Sequence, residues 1–184
     1  MDDLLSELNR FGFFHLNKSS IPSVYGCGYD YKSIFELIQR GQAVSSRLID
    51  NKLTFISIEM YWCIKSIIGE KTRNTTEQQL IYDLLQQNTH IETGLLRELC
   101  SIEKKCFEIS LNKLHEKLLV SIYDGGRKLN EHWYTYSWCT YKVIESRTEK
   151  LKVKDCEKKI SEKLYTLINA KRADNIINKI IKND

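Results

Sequence analysis

Proline and glycine, the residues that most often interrupt helices, are scarce in this chain. Its 184 residues include one proline and eight glycines, and residues 80–181 contain no proline. Leu, Ile, Cys, Trp and Tyr recur there every three or four positions, which is the spacing of one helix face. A continuous helix of that length would reach on the order of 150 Å, at about 1.5 Å per residue. The sequence therefore predicts a long helical rod.

Residue patterns that carry chemistry are also missing. The histidines have no second His or Cys at metal-ligand spacing, and no Cys-x-x-Cys pair occurs. Gly125-Gly126 lacks the preceding strand and the spacing of a phosphate-binding loop. No Ser-His-Asp or Cys-His set can be assembled either. We expect no catalytic residues, no metal and no cofactor, and we expect that the protein is not an enzyme.

Long apolar runs are absent as well. No stretch of 18 apolar residues exists, which excludes a membrane-spanning helix by the usual length criterion. The Met-Asp-Asp start lacks the basic region of a secretory signal. The six cysteines fall mostly at apolar positions, as expected of free thiols in a reducing compartment. These features predict a cytoplasmic protein.

The charge is unevenly distributed. Residues 1–100 carry a net charge of −2, and residues 101–184 carry +6. The second half is therefore the candidate for contact with phosphates, in lipid or in nucleic acid. An ordinary solvated helix face with surplus lysine explains the same numbers.

The chain reads as one helical domain over residues 1–184. Asp30 and Thr75 or Thr76 are predicted N-caps, and Gly69 is predicted to end a helix. The predicted elements are a short helix at 1–14, a loop at 15–30, a second helix at 31–68, and a third helix at 75–181 that bends near Gly125-Gly126.

Apolar residues at heptad spacing in the second helix predict a coiled-coil seam. Ile34, Leu48, Phe55 and Trp62 are separated by multiples of seven. The apolar face near Trp62 is too wide for one short neighbour to cover, which favours a dimer or a bundle. The predicted fold class is all-α, an elongated antiparallel helical bundle or coiled coil. The predicted dimer-interface residues are Ile34, Leu48, Phe55, Ile58, Trp62, Leu95 and Ile102.

Several stretches resemble the F-BAR family of the BAR superfamily. Asp124-Gly-Gly-Arg-Lys128, followed by His132, Thr135 and Trp138, is similar to the DGRKxxxHxxTCW stretch of the Toca branch. Lys154-Asp-Cys-Glu-Lys158 resembles that branch's RDCKEA. The order of a short helix, a heptad helix and a long bent helix is also similar. The resemblance implies a partial F-BAR domain that ends before the fourth long helix.

The resemblance implies a crescent-shaped homodimer that binds anionic membranes through a basic face and senses or induces curvature. The implied partners are phosphatidylserine, phosphoinositides and actin-regulatory or Rho-family GTPase machinery, in endocytosis and actin remodelling, with the protein peripheral at membranes. Each basic side chain near such a membrane contributes about 1 kcal/mol, so a rigid array is needed. The candidate lipid-binding residues are Arg127, Lys128, Lys113, Lys117, Lys142, Arg147, Arg47 and Lys52.

Two other functions stay open from the residues alone. A helical coiled-coil adaptor without a lipid role would dimerise through the same seam. Binding of nucleic acid by the basic half is disfavoured, because acidic residues are interleaved with the basic ones. We therefore expect nucleic acid to be an unlikely partner.

Overall fold

The computed structural model describes residues 2–69, 74–125 and 135–182. In chain order, the helices and strands are α1 (Asp2–Phe11), β1 (Phe13–His15), α2 (Tyr31–Gln39), β2 (Ala43–Ser46), β3 (Thr54–Ser57), α3 (Ile58–Ile68), α4 (Thr76–Gln86), β4 (Ile91–Glu92), α5 (Thr93–Cys100), α6 (Lys104–Glu116), β5 (Val120–Asp124), β6 (Ser137–Thr140), α7 (Tyr141–Arg147), α8 (Cys156–Leu167) and α9 (Ala170–Lys182).

Two three-stranded antiparallel sheets organise these elements. In the first sheet β3 lies between β1 and β2, and Phe55 of β3 pairs with Phe14 on one side and Ser45 on the other. In the second sheet β6 lies between β4 and β5, and Cys139 of β6 pairs with Ser121. In both sheets the third strand along the chain is the central one. The elements α1 to β3 and the elements α4 to β6 therefore follow the same order. Each set has a helix, a strand, one or two helices, and then two antiparallel strands that pair with each other.

The core is divided between two clusters of buried side chains. The first joins α1 and α2 to α4, α5, α6 and β5, and it includes Leu8, Phe35 and Phe107. The second joins β2, β3 and α3 to α8 and α9, and it includes Tyr61 and Leu164. The C-terminal helices thus cover α3, and the second sheet packs against α2.

The predicted fold class, an elongated all-α bundle, is wrong, and the segment 31–68 shows why. It contains α2, β2, β3 and α3 instead of one helix. Gly41 takes a φ of +69° directly after α2 and turns the chain into β2. Every residue of β2 and β3 is buried, so the strands lack the polar alternation that identifies a half-exposed strand. A short, fully buried strand cannot be told from a buried helix by periodicity.

The predicted third helix over 75–181 is also wrong, because the chain ends its helices without proline or glycine. Ser101 ends α5 in the left-handed region, with a φ of 52°. Leu118 follows α6 with a φ of 57°, and Asp155 precedes α8 with a φ of 54°. Non-glycine residues seldom adopt this conformation, so their sequence gives no warning of it. Gly125 lies after β5 and does not bend a helix.

Local capping predictions were more successful. The Asp30 carboxylate accepts a hydrogen bond from the Ser33 amide at 2.8 Å and begins α2. Thr75 caps α4 in the same way, and Gly69 ends α3. Over the described ranges, no helix has the length and apolarity needed to cross a membrane.

Candidate functional site

Helices α5 and α6 form a helix-turn-helix. Cys100 is the last residue of α5, and left-handed Ser101 donates its amide to the Glu98 carbonyl at 3.1 Å. The Glu103 carboxylate then accepts the Cys106 amide at 3.1 Å, which begins α6. A three-residue turn between two helices is the arrangement that presents a second helix to the major groove of DNA.

The sequence of α6 separates a buried face from an exposed one. Phe107, Leu111 and Leu114 follow at spacings of four and three and are buried in the first core cluster. Ser110 and His115 complete this buried face. The burial fixes which side of α6 faces outward.

The outward face of α6 has three different kinds of side chain. Lys105, Ile109 and Asn112 lie at spacings of four and three, and Ile109 is 53% exposed. Lys104 is exposed one residue before them, and the acidic residues Glu103 and Glu108 are exposed beside them. Cationic groups attract phosphates, while amide and apolar groups can contact the edges of bases.

The last turn of α6 is cross-linked by ion pairs. Lys113 donates to the Glu116 carboxylate at 2.8 Å, and Lys179 of α9 forms a second ion pair with Glu116. Lys117, the next residue, donates to Gln78 of α4 at 3.1 Å. The negative charge of Glu116 is therefore compensated by two lysines.

A buried polar network holds α6 against both sheets. His115 is fully buried, and its Nε2 atom lies 2.9 Å from the Ser45 hydroxyl of β2. That hydroxyl accepts the Ile122 amide of β5 at 2.9 Å and lies 2.9 Å from the Ser121 hydroxyl. Burial, reinforced by the positive charge of Arg47, lowers the pKa of His115 to about 3. A neutral imidazole therefore fixes α6 to the edge strands of the two sheets.

The hairpin after α6 completes the arrangement. Strands β5 and β6 pair antiparallel, with an irregularity in register between Ile122 and Asp124. The connection between them contains Arg127 and Lys128, which lie outside the described residues. The element order α4–β4–α5–α6–β5–β6, with β6 central, is that of a winged helix. In that fold the second helix of the helix-turn-helix reads the major groove, and the hairpin is the wing.

In the first half of the chain, α2 precedes the paired strands β2 and β3 as α6 precedes β5 and β6. Helix α2 is packed against the second sheet and is therefore not available to bind a ligand. Ile34 and Phe35 of α2 are buried. The Tyr31 hydroxyl donates to the Gly125 carbonyl at 2.8 Å, and the Gln39 amide donates to Asp124 at 2.9 Å. Helix α2 thus packs on the second sheet, and α6 is the better placed of the two helices for an external ligand.

A family model described as AlkZ related matches residues 28–182, most of the chain. The chain belongs to the AlkZ-related family. No curated protein and no solved structure matches it.

Membership in the AlkZ-related family overturns the F-BAR resemblance and the membrane-scaffold function and partners that it implied. A partial F-BAR scaffold on anionic lipids is wrong, and so is the coiled-coil adaptor, since neither function fits this family. The expectation that nucleic acid is an unlikely partner is wrong as well, because the match to this family suggests a DNA-related function. The described ends of the quoted stretch lie on strands, Asp124 at the end of β5 and Trp138 on β6, and its residues 126–134 lie outside the described residues. The two short stretches that resemble F-BAR sequences therefore did not indicate how the helices and strands of this chain are connected.

In this AlkZ-related chain the predicted lipid-binding residues lie on separate elements. Lys113 is on α6 and Lys117 just after it, while Lys142 and Arg147 are on α7. The other described pair lies between β2 and β3, where Arg47 donates to the Asn51 carbonyl at 2.8 Å and Lys52 is exposed.

The predicted dimer-interface residues mostly belong to the chain's own core. Ile34, Leu48 and Phe55 are buried, and Ile58 and Trp62 pack on the second cluster. The heptad spacing therefore reflects intramolecular burial. Of the remaining two, Leu95 is 52% exposed on α5, whereas Ile102 packs against the first cluster.

Sequence reasoning missed the exposed face of α6, namely Lys104, Lys105, Ile109 and Asn112. The signal was present in the spacing of Phe107, Leu111 and Leu114, which defines about two turns of helix by itself. It was absorbed into the longer apolar stripe because Glu103 is not among the usual N-cap residues, and the turn before α6 was not recognised.

Proposed function

We propose that this member of the AlkZ-related family binds duplex DNA and serves DNA repair, with α6 in the major groove and the β5–β6 hairpin beside it. The observation that carries the proposal is the exposed face of α6 in a winged-helix arrangement. The family match supports a role related to DNA repair.

Electrostatics supports duplex DNA as the ligand. Lys104 and Lys105 are exposed at the start of α6, and Arg127 and Lys128 occupy the connection between the hairpin strands. Each cation that neutralises a phosphate releases counterions, so binding should weaken steeply with salt. The net charge of the whole chain is only +4, so affinity depends on where the cations are placed.

The buried contacts that hold α6 against the two sheets favour specific recognition of DNA by its outward face. The network around His115 joins α6 to β2 and β5, so the outward face cannot rotate independently of the sheets. A contact surface held by packing and hydrogen bonds loses little conformational entropy on binding. The proposal concerns binding, and the absence of catalysis and the cytoplasmic, membrane-peripheral localisation stay predictions.

The test compares two double variants that remove the same charge. Lys104→Gln/Lys105→Gln alters α6, and Lys154→Gln/Lys158→Gln alters exposed lysines at and before α8. Fluorescence anisotropy with a labelled duplex, from about 50 to 200 mM salt, gives the affinity and its salt slope. We expect the α6 variant to bind less tightly, with a slope smaller by about two, and the α8 variant to match the unaltered chain.

Two results would refute the proposal. One is no saturable duplex binding at about 50 mM salt. The other is an equal loss of affinity in both double variants, which would mean that only total charge matters. Circular dichroism of each variant shows that it is folded.

A further inference from the structure

A cleft separate from the face of α6 lies where α1, the α2–β2 turn, the start of α3 and the chain after α7 meet. Its volume is about 660 Å³. Asn9 lines it from α1, Gln42 from the turn, Ile58 from α3 and Leu151 from the segment after α7. A volume of this size falls in the range of small-molecule sites.

The charged groups of the cleft leave an excess of positive charge. Lys159 forms an ion pair with Glu59, and this pair is locally neutral. Arg40 and Lys152 are exposed on the lining, and neither makes an ion pair with any residue in the described ranges. Glu149 is the acidic group that remains. Two cations without an ion-pair partner therefore face one carboxylate.

Arg147 occupies an unusual position in this lining. Its guanidinium carbon lies 3.7 Å from the centre of the Tyr123 ring, and the ring of His90 stacks on Tyr123 with centroids 4.1 Å apart. Its Nη1 atom is buried and has no hydrogen-bond partner among the described residues. The guanidinium therefore packs on aromatic rings that do not line the cleft, and its buried Nη1 atom is out of reach of a ligand bound there.

The turn that contains Arg40 and Gln42 packs closely against the backbone of Arg147. Gly41 has a φ of +69°, and a Cβ there would overlap the Arg147 carbonyl oxygen. Only glycine permits this close approach of the two backbones. The cationic groups of the cleft are therefore carried by backbone segments that are packed together.

The rest of the lining suits a ligand with a flat polar part. The amides of Asn9 and Gln42 make no side-chain hydrogen bond in the described part of the chain, and each offers both donors and an acceptor. Leu5, Ile58 and Leu151 provide apolar surface. Cations for a phosphate, amides for a base edge and apolar walls for a ring together match one nucleotide.

We infer that this cleft binds a nucleotide through its phosphate, with Arg40 and Lys152 as the phosphate partners and Asn9 and Gln42 at the base. The nucleotide is either free or part of a strand. The site shares no residue with the outward face of α6.

Calorimetric titration with AMP, adenosine and inorganic phosphate tests the site. We expect saturable AMP binding with a Kd below about 1 mM, and weaker binding of adenosine and of phosphate, because each lacks half of the contacts. Arg40→Gln/Lys152→Gln should weaken AMP binding at least about tenfold. Lys150→Gln/Lys154→Gln removes the same charge outside the lining and should leave it unchanged.

Two further arms separate the sources of the nucleotide and the two sites. A short single strand that displaces AMP assigns the site to a strand-borne nucleotide, and failure to displace it assigns the site to a free one. Lys104→Gln/Lys105→Gln should retain AMP binding even if duplex binding is lost or never occurs. Absence of saturable AMP binding, or equal effects of Arg40→Gln/Lys152→Gln and of the control Lys150→Gln/Lys154→Gln, would overturn the inference.

Discussion

At the scale of single residues, His115 is the side chain through which α6 contacts Ser45 of β2. Its side chain is fully buried, and its pKa is lowered to about 3 by burial first and then by the charge of Arg47. The pKa of His15, which is also buried, is lowered for the same principal reason. Nothing in the sequence around either residue reveals this, because the partners of His115 lie about 70 residues away, at Ser45.

The depressed histidine pKa values predict acid destabilisation at mild pH. An unfolded histidine binds a proton near pH 6.5, while folded His115 stays neutral until about pH 3. The unfolded state therefore binds more protons below pH 6.5, and the free energy of unfolding falls as the pH drops from 6.5. Each such histidine contributes up to about 1.4 kcal/mol per pH unit. Urea unfolding between pH 7.5 and pH 5 should show constant stability above pH 6.5 and a decline below it.

The variant His115→Gln isolates the contribution of one residue. Its stability should fall less steeply below pH 6.5 than that of the unaltered chain, by about 1.4 kcal/mol per pH unit. Equal slopes in the two proteins would show that His115 is protonated in the folded state and that the buried network is described incorrectly.

Gly41 gives a second prediction at this scale, with a matched control in the same chain. Gly28 and Gly41 have φ values of +82° and +69°, but a Cβ at Gly28 meets nothing within 4 Å. Gly28→Ala should cost about 1–2 kcal/mol from backbone conformation alone. Gly41→Ala should cost a further amount, about 1–3 kcal/mol, because the backbone of Arg147 must move. Chemical denaturation measures both, and equal costs would contradict the close packing of the α2–β2 turn.

At the scale of elements, the caps of several helices could be read from the sequence, whereas the strands could not. Asp30 and Thr75 were predicted as caps because short polar side chains that precede an apolar run mark a helix start. Strands β2 and β3 were taken for helix because both of their faces are buried. The α5–α6 turn was missed because Ser101, and not glycine, adopts the left-handed conformation.

Helix α6 should read sequence as well as bind phosphate. Asn112 and Ile109 lie on its outward face, where an amide can pair with adenine and an apolar group can contact a thymine methyl. Asn112→Ala should reduce the preference for favoured duplexes by about 1–3 kcal/mol and leave the salt slope unchanged. Selection from a random duplex library measures the preference. Lys104→Gln is the control, since it should weaken all sequences alike, and an unaltered preference in Asn112→Ala would exclude base contact at this position.

At the scale of the whole molecule, the topology rests on contacts that periodicity does not encode. Strand β5 meets β2 through Ser45 and Ser121, which are 76 residues apart. Lys179 of α9 reaches Glu116 of α6 across 63 residues. A pattern of burial identifies which residues are inside but not which of them meet. Buried segments of strands and helices therefore resembled one long amphipathic rod in the sequence.

The account as a whole rests on the binding of duplex DNA by α6, and amide chemical-shift mapping by NMR tests this claim most directly. A duplex is titrated into the uniformly ¹⁵N-labelled chain at low salt. We predict that the largest shift changes fall at residues 104–113 and in the β5–β6 connection, with α8 and α9 nearly unchanged. Changes concentrated on α8 and α9, or no saturable change at any residue, would contradict the account.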